Sequence, residues 1–222
     1  MFPELYILRH GQTEWNAQGR MQGALNSPLT PQGEAEAAKQ GMILQGLDLT
    51  GFQYISSPQG RAVQTAGIAL ARVADFIVTD PRLAEITVGD WSGLLRDELP
   101  MEDVEDPYLA QYEAAPGGER LAGVRLRAAA FLADLKGPAV LVTHGVTSRV
   151  IRTLVVGEAA SQPSSIHGGQ GTIYHLKNLP FIAIKNKKSP KNLETMIYRF
   201  NPMGTGGGLF RPRVIQMLAI SK

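Results

Sequence analysis

The chain has 222 residues, of which 44% are hydrophobic, and a formal net charge of +2. Its length is near that of one domain of about 100–200 residues, and its composition is typical of a globular protein. The absence of cysteine excludes disulfides, thiolate metal ligands and a cysteine nucleophile. No leader opens the chain and no apolar run is long enough to cross a bilayer, so we expect a cytoplasmic protein without membrane contact.

The charges are unevenly distributed along the chain. Residues 177–222 hold nine of the 22 Lys and Arg residues but only one acid, Glu194, and the preceding residues are acidic overall. A basic tail can contact anions or nucleic acid. No aromatic residues alternate with these bases in a stacking pattern. We therefore interpret residues 179–222 as a solvated basic extension of unknown role, and expect no nucleic-acid partner.

Short apolar runs indicate strands that are buried on both faces of a parallel sheet. Such strands are predicted at residues 5–8, before residue 57, at 139–142 and at 170–176, with 181–184 and 196–200 as further candidates.

Helix signals follow several of these strands. Thr30-Pro31 and Ser57-Pro58 each combine a capping residue with proline at the first helical position. Helices are predicted at residues 30–45, 57–72, 119–135 and 146–156. Residues 92–118 are predicted to be irregular, and the glycine-rich stretch at 203–208 is given no role in nucleotide binding. The alternation of strands and helices predicts a three-layer α/β/α fold with a mainly parallel central sheet.

Two His-Gly pairs occupy equivalent places, because His10-Gly11 follows the first strand and His144-Gly145 follows the strand at 139–142. Ligands of parallel α/β sheets bind beyond the carboxyl ends of the strands. Two imidazoles and a carboxylate could ligate a metal. Arg9 and Arg61 would repel a metal ion but match the oxygens of a phosphate, so the residues favour a phosphate site without metal.

Glu85 is the candidate general acid. It precedes Gly89-Asp90-Trp91-Ser92-Gly93 in a segment without strong helical or strand periodicity. The negative charge of a dianionic phosphate favours the protonated form of a carboxyl group beside it, and this carboxyl group can then protonate a leaving oxygen. The alternative interpretation is an ordinary surface glutamate in a loop.

These residues fall within motifs that resemble the histidine phosphatase superfamily, in its phosphoglycerate-mutase-like branch. The matching segments are residues 8–16, 20–23 followed by 28–33, 56–66, 85–93 and 142–145, and the similarity covers about residues 4–176. The resemblance implies a phosphoglycerate-mutase-like fold, with a histidine phosphatase domain at residues 2–178.

The resemblance also implies a role for each matching residue. His10 matches the histidine that accepts the phosphoryl group, and Glu85 matches the proton donor. The phosphate would be held by Arg9, Arg61 and His144, and phosphate or substrate would be contacted by Asn16, Gln22, Gly23 and Gly145. The implied activity is that of a phosphomonoesterase that needs no metal or cofactor and acts on a small phosphorylated metabolite. Whether the protein forms a homodimer is left open.

Hydrolysis and phosphoryl transfer between hydroxyls use the same kind of pocket. Cofactor-dependent mutases of the family have a tyrosine three residues after the acid, where this chain has Val88, and an Arg-Arg pair that is absent here. Arg96 could still replace a substrate-binding lysine. We expect a phosphatase, with a phosphoglycerate mutase as the main alternative. A non-catalytic phospholigand-binding module is disfavoured because His10 and Glu85 are both present.

Overall fold

The computed structural model describes residues 2–101, 103–104, 106–156 and 169–177, and two further strands at 195–198 and 215–216. The strands are β1 Leu5–Arg9, β2 Gln53–Ser56, β3 Val78–Thr79, β4 Ala139–Thr143, β5 Ile173–Leu176, β6 Thr195–Tyr198 and β7 Ile215–Gln216. The helices are α1 Glu14–Ala17, α2 Pro31–Leu44, α3 Gly60–Ala69, α4 Pro107–Ala114, α5 Arg120–Asp134 and α6 Gly145–Val156. Short 3₁₀ helices occur at Pro81–Leu83, Gly89–Trp91 and Arg96–Glu98.

The strands form one sheet in the order β3-β2-β4-β1-β5-β6-β7. Strands β1 to β4 pair in parallel, whereas β5, β6 and β7 pair antiparallel with their neighbours. Helices α2 and α3 cover one face of the sheet, and α5 and α6 cover the other. The predicted three-layer α/β/α fold is confirmed.

Alternation along the central strands divides the core between the two faces of the sheet. In β1, Leu5 and Ile7 pack toward α5 and α6, and Tyr6 and Leu8 pack toward α2 and α3. All four side chains are buried. Burial on both faces explains why this strand is a continuous apolar run in the sequence.

One predicted helix start is confirmed and another is wrong. Thr30 caps α2 by accepting the Gly33 N–H at 3.1 Å. The helix predicted from Ser57 instead begins at Gly60, because the Ser57 N–H donates to the Val142 carbonyl and prolongs the pairing of β2 with β4. It ends at Ala69, before the predicted boundary.

The segment at 92–118, predicted to be irregular, contains helix α4. Asp106 caps this helix by accepting the Leu109 N–H at 3.0 Å, and Pro107 occupies its first turn. A capping residue followed by proline is the same start signal that predicts α2 at Thr30-Pro31. In a segment rich in Pro, Gly and acids this signal alone does not separate a helix from a loop.

The candidate strand at 181–184 and the glycine-rich stretch at 203–208 lie outside the described residues. Of the second candidate, residues 196–198 belong to β6. Across the part of the chain that the structure describes, no helix has both the length and the apolar character required of a membrane span.

We expect a chain that ends at Asn178 to fold without residues 179–222. The buried core residues that the structure describes on both sheet faces precede that end, and β6 pairs with β5 at the edge of the described core. Circular dichroism should show a cooperative thermal transition for both lengths of chain. An insoluble shortened chain, or loss of the transition, would show that the tail belongs to the core.

Candidate active site

The site lies at the carboxyl edge of the parallel strands. The register places Arg9 of β1 opposite Thr143 of β4, so the next residue of each strand, His10 and His144, emerges at the same edge. The His10 N–H donates to the Thr143 carbonyl at 3.0 Å, and the two imidazole centroids are 5.1 Å apart. The structure therefore brings the two histidines together.

A cavity of about 230 Å³ opens beside His10. Seven of the predicted site residues line it, namely Arg9, His10, Asn16, Gln22, Gly23, Arg61 and Glu85. His144 and Gly145 lie behind the cavity wall instead. Gly145 packs on Arg9, since a Cβ placed on this glycine would be 3.4 Å from the Arg9 Cζ.

The two ring nitrogens of His10 have different partners. Nδ1 lies 2.8 Å from the Gly11 carbonyl, so it carries the ring proton and donates it there. The Arg61 Nε–H donates to Nε2 at 3.2 Å, so Nε2 presents a lone pair. Burial, followed by the charges of Arg9 and Arg61, lowers the pKa of His10 well below 6.5. His10 is therefore a neutral imidazole whose lone pair lies on Nε2.

His144 is fully buried behind His10. Its Nε2 lies 2.7 Å from the Ser57 hydroxyl, and its Nδ1 is buried with no hydrogen-bond partner among the described residues. Burial and the neighbouring charge of Arg61 lower the pKa of His144 well below 6.5. The predicted role of this ring as a phosphate donor thus depends on its unpartnered nitrogen.

Arg61 is a buried cation, with only 1% of the residue exposed. Its Nη1 donates to the Leu25 carbonyl at 2.6 Å and its Nη2 donates to the Gly23 carbonyl at 3.0 Å. Among the described residues, neither Arg61 nor Arg9 forms an ion pair with a carboxylate, and Arg9 Nε is buried without a hydrogen-bond partner. Two adjacent guanidinium groups without an acid partner form a binding site for an anion.

The Glu85 carboxyl group lies at the N-terminus of α6. The Val146 N–H donates to Oε2 at 3.1 Å and the Thr147 N–H donates to Oε1 at 3.0 Å. Oε1 also accepts the Ile86 N–H at 3.1 Å, and the Glu85 N–H donates to the Gln59 side chain at 2.8 Å. These contacts hold the carboxyl group at the cavity wall, with Oε2 as its less occupied oxygen.

Asn16 and Gln22 are oriented by the polar residues around α1. The Asn16 Oδ1 accepts the Thr13 N–H at 3.2 Å and the Gln170 amide at 2.8 Å, which leaves the Asn16 NH₂ for a ligand. The Gln22 NH₂ donates to the Thr13 hydroxyl at 2.6 Å.

In the described residues, no group of three or more His, Asp or Glu side chains is placed to hold a metal ion.

The outer wall of the cavity contains residues that the sequence analysis did not assign to the site. They are Gly19, Arg20, Tyr112 and Gln170, together with Arg96, which was considered only as a replacement for a lysine. Arg96 donates to the Gln111 side chain at 2.8 Å and to the Tyr112 hydroxyl at 2.9 Å. Arg20 lies inside a matching motif, but nothing in the sequence signalled Tyr112, because α4 was not predicted.

Val88 does not face the cavity. It is fully buried, and a Cβ added to Gly23 would lie 2.8 Å from its Cγ2 atom. Gly23 also has a φ of +53°, in the left-handed region that favours glycine. The aromatic side chain that does reach the cavity is Tyr112, which comes from a different element.

The adjacent histidines, and two guanidinium groups that form no ion pair among the described residues, are an arrangement suited to bind a phosphate. The family model of the histidine phosphatase superfamily (branch 1) matches residues 5–178, and the chain belongs to this superfamily.

Proteins similar to this chain are described as mutases or as phosphatases. A probable phosphoglycerate mutase GpmB of Enterobacter sp. (strain 638) is 33% identical over 169 residues, which cover 69% of this chain and 75% of the relative. The mycobacterial glucosyl-3-phosphoglycerate phosphatase, solved with VO3, is 29% identical with a TM-score of 0.66, over 79% of this chain and 92% of that one. A phosphoglycerate mutase from Thermus thermophilus is 33% identical with a TM-score of 0.62, over 78% and 92% of the two chains.

The lowered pKa values of His10 and His144 predict a loss of stability in mild acid. Below pH 6.5 both rings take up protons in the unfolded chain but stay neutral in the folded one, so the free energy of unfolding falls as the pH decreases. Between pH 7.5 and 5.5, each ring whose folded pKa lies below that interval lowers the free energy of unfolding by about 1 kcal/mol.

Denaturant unfolding at the two pH values measures this loss, and imidazole ¹⁵N shifts report whether the rings remain neutral. His10→Gln, which has no ring to protonate, should lose less stability over the interval. A protonated His10 in the folded protein at pH 5.5 would contradict the assignment of a neutral imidazole.

Proposed function

We propose that the protein is a metal-independent phosphomonoesterase that acts on a small phosphorylated metabolite through a phosphohistidine at His10. The observation that carries this proposal is the His10–Arg61 pair. A neutral imidazole offers its Nε2 lone pair at 3.2 Å from a buried guanidinium that has no carboxylate partner among the described residues. A site built only to bind phosphate has no need of a nucleophilic lone pair, which attacks phosphorus once the Arg61 Nε–H turns from Nε2 to a phosphate oxygen.

In the first step, His10 Nε2 attacks phosphorus in line with the ester bond. The N–P bond forms as the P–O bond breaks, while Arg9 and Arg61 stabilise the charge on the equatorial oxygens. Glu85 delivers a proton to the leaving oxygen, for which its less occupied Oε2 is the suitable atom. The alcohol leaves, and the phosphoryl group remains on His10.

In the second step, water attacks the phosphohistidine. Glu85, now ionised, accepts a proton from the water as the P–O bond forms and the N–P bond breaks, which regenerates neutral His10 and releases phosphate. The balance of atoms requires no metal, oxidant or further substrate. This supports the expectation that no cofactor takes part.

His144 supports the phosphate through one defined tautomer. If the Ser57 hydroxyl donates to Nε2, the proton of the neutral ring resides on Nδ1, the nitrogen without a partner. This N–H then has a phosphate oxygen as its natural acceptor. The Ser57 hydroxyl can still accept the Gln59 N–H at 3.3 Å, so its own hydrogen bonds agree with this direction.

A mutase is the second candidate function, and the outer wall of the cavity is the observation that favours it. Arg20 and Arg96 add two cations beyond those next to His10, and a mutase needs such groups to hold a second anionic group of its substrate. Two of the relatives named above are described as mutases. Hydrolysis remains our proposal because the chain lacks the Arg-Arg pair of the mutases and because its Val88 is buried away from the cavity.

Turnover of a panel of phosphomonoesters in the presence of EDTA tests this proposal. We expect phosphate release that EDTA does not reduce, because guanidinium groups supply the positive field. We also expect little conversion of 3-phosphoglycerate to 2-phosphoglycerate in an enolase-coupled assay, even with 2,3-bisphosphoglycerate. Rapid interconversion would establish the mutase instead, and activity that disappears with EDTA and returns with a divalent metal would reject the mechanism.

A further inference from the structure

The segment that leads to Glu85 is held by an unusual series of contacts. Three consecutive backbone carbonyls, those of residues 82–84, each accept a hydrogen bond from a side chain of another element. Arg127 Nη1 donates to the Arg82 carbonyl at 2.6 Å. Thr143 Oγ1 donates to the Leu83 carbonyl at 2.7 Å, and Thr147 Oγ1 donates to the Ala84 carbonyl at 2.6 Å. Residues 82 and 83 end the short 3₁₀ helix Pro81–Leu83, and these contacts fix that end and the path from it to Glu85.

Arg127 also connects to the segment that follows Glu85. Its Nε and Nη2 donate to the two carboxylate oxygens of Glu119 at 2.6 and 3.1 Å. The Glu119 backbone N–H in turn donates to the Thr87 carbonyl at 3.2 Å. The Arg127–Glu119 ion pair therefore fixes the chain three residues before Glu85 and two residues after it.

A third contact leads from Arg127 to the carboxyl group itself. Its Nη2 lies 3.5 Å from the Thr147 hydroxyl, and the Thr147 N–H donates to Glu85 Oε1 at 3.0 Å. Arg127 is not among the residues that line the cavity. Burial and nearer charges dominate the lowered pKa of His144, to which the charge of Arg127 adds only as the last cause, so Arg127 acts on the reaction mainly through the groups that it holds.

We propose that Arg127 is a positioning residue that sets the place of the Glu85 carboxyl group for proton transfer, a role that rests on the proposed function of Glu85 as general acid. The planar guanidinium fork satisfies a carboxylate, a carbonyl and a hydroxyl at once, in fixed directions. A lysine could replace the charge but only one or two of these contacts. Displacement of a catalytic group by about 1 Å can cost on the order of 10²-fold in rate.

The leaving group of the substrate separates this role from a merely structural one. An alkyl phosphate leaves as a basic alkoxide that needs a proton in the transition state, whereas p-nitrophenolate hardly needs one. The constant kcat/KM reports the phosphorylation step, in which the leaving group departs. A variant that displaces Glu85 should therefore lose kcat/KM for glycerol 2-phosphate and retain most of it for p-nitrophenyl phosphate.

The experiment compares Arg127→Met with Glu85→Gln as the reference and Arg149→Met as the matched control. Arg149 also forms a partly buried ion pair on a neighbouring helix, with Asp106 at 3.0 Å, but has no contact with the Glu85 segment. For glycerol 2-phosphate we expect a loss of ~10²–10⁴-fold in Glu85→Gln and of about 10- to 100-fold in Arg127→Met. Arg149→Met should change both substrates by the same factor.

Arg127→Lys provides a second variant if Arg127→Met does not fold, and it should show a smaller loss that is again selective for the alkyl phosphate. Equal losses for the two substrates in the Arg127 variants, with a selective loss in Glu85→Gln, would overturn the positioning role and leave the proposed function intact. If Glu85→Gln itself shows no selectivity, the general-acid assignment fails, and the role of Arg127 fails with it.

Discussion

The burial of positive charge without an ion-paired carboxylate among the described residues is the constraint on which the site depends. Arg61 is almost completely removed from water, and among the described residues it is satisfied only by backbone carbonyls, an amide side chain and an imidazole. Desolvation of an ionised group is costly unless strong hydrogen bonds replace the lost water. The carbonyls of Gly23 and Leu25 supply such bonds while leaving the charge of Arg61 in place, and among the described residues no carboxylate forms an ion pair with it.

Several features of the fold serve this arrangement. Burial, together with the charges of Arg9 and Arg61, lowers the pKa of His10 and of its neighbour His144, so the proposed nucleophile needs no separate base. The loop after β1 is fixed by backbone contact with α2, since a Cβ on Gly11 would lie 2.2 Å from the Gly33 carbonyl oxygen. Among the described residues, Glu85 is the one acid that lines the cavity. Backbone N–H groups at the start of α6 hold its carboxyl group, at the end of the helix where the dipole favours a carboxyl group.

The layers of the fold and the inner half of the site were predictable from the sequence because they depend on local patterns. Apolar runs identify buried strands, and His10 and His144 directly follow strands of a parallel sheet, whose carboxyl ends meet at one edge. The outer half was not predictable because its residues reach the cavity through packing. Tyr112 arrives on a helix in a segment rich in Pro, Gly and acids. Outside the cavity, the hydrogen bond from Arg127 to the Arg82 carbonyl likewise joins residues that are 45 apart in sequence.

The covalent intermediate at His10 is the central claim of this account, and trapping it is the most direct test. Acid-labile, base-stable phosphate should appear on the enzyme in a rapid-quench experiment with a ³²P-labelled phosphomonoester. Peptide mapping should place this label on His10, and ³¹P NMR should identify Nε2 as the phosphorylated nitrogen. The label should be absent from His10→Ala, which should also be inactive. Label on another residue, or near-normal turnover by His10→Ala, would contradict the account.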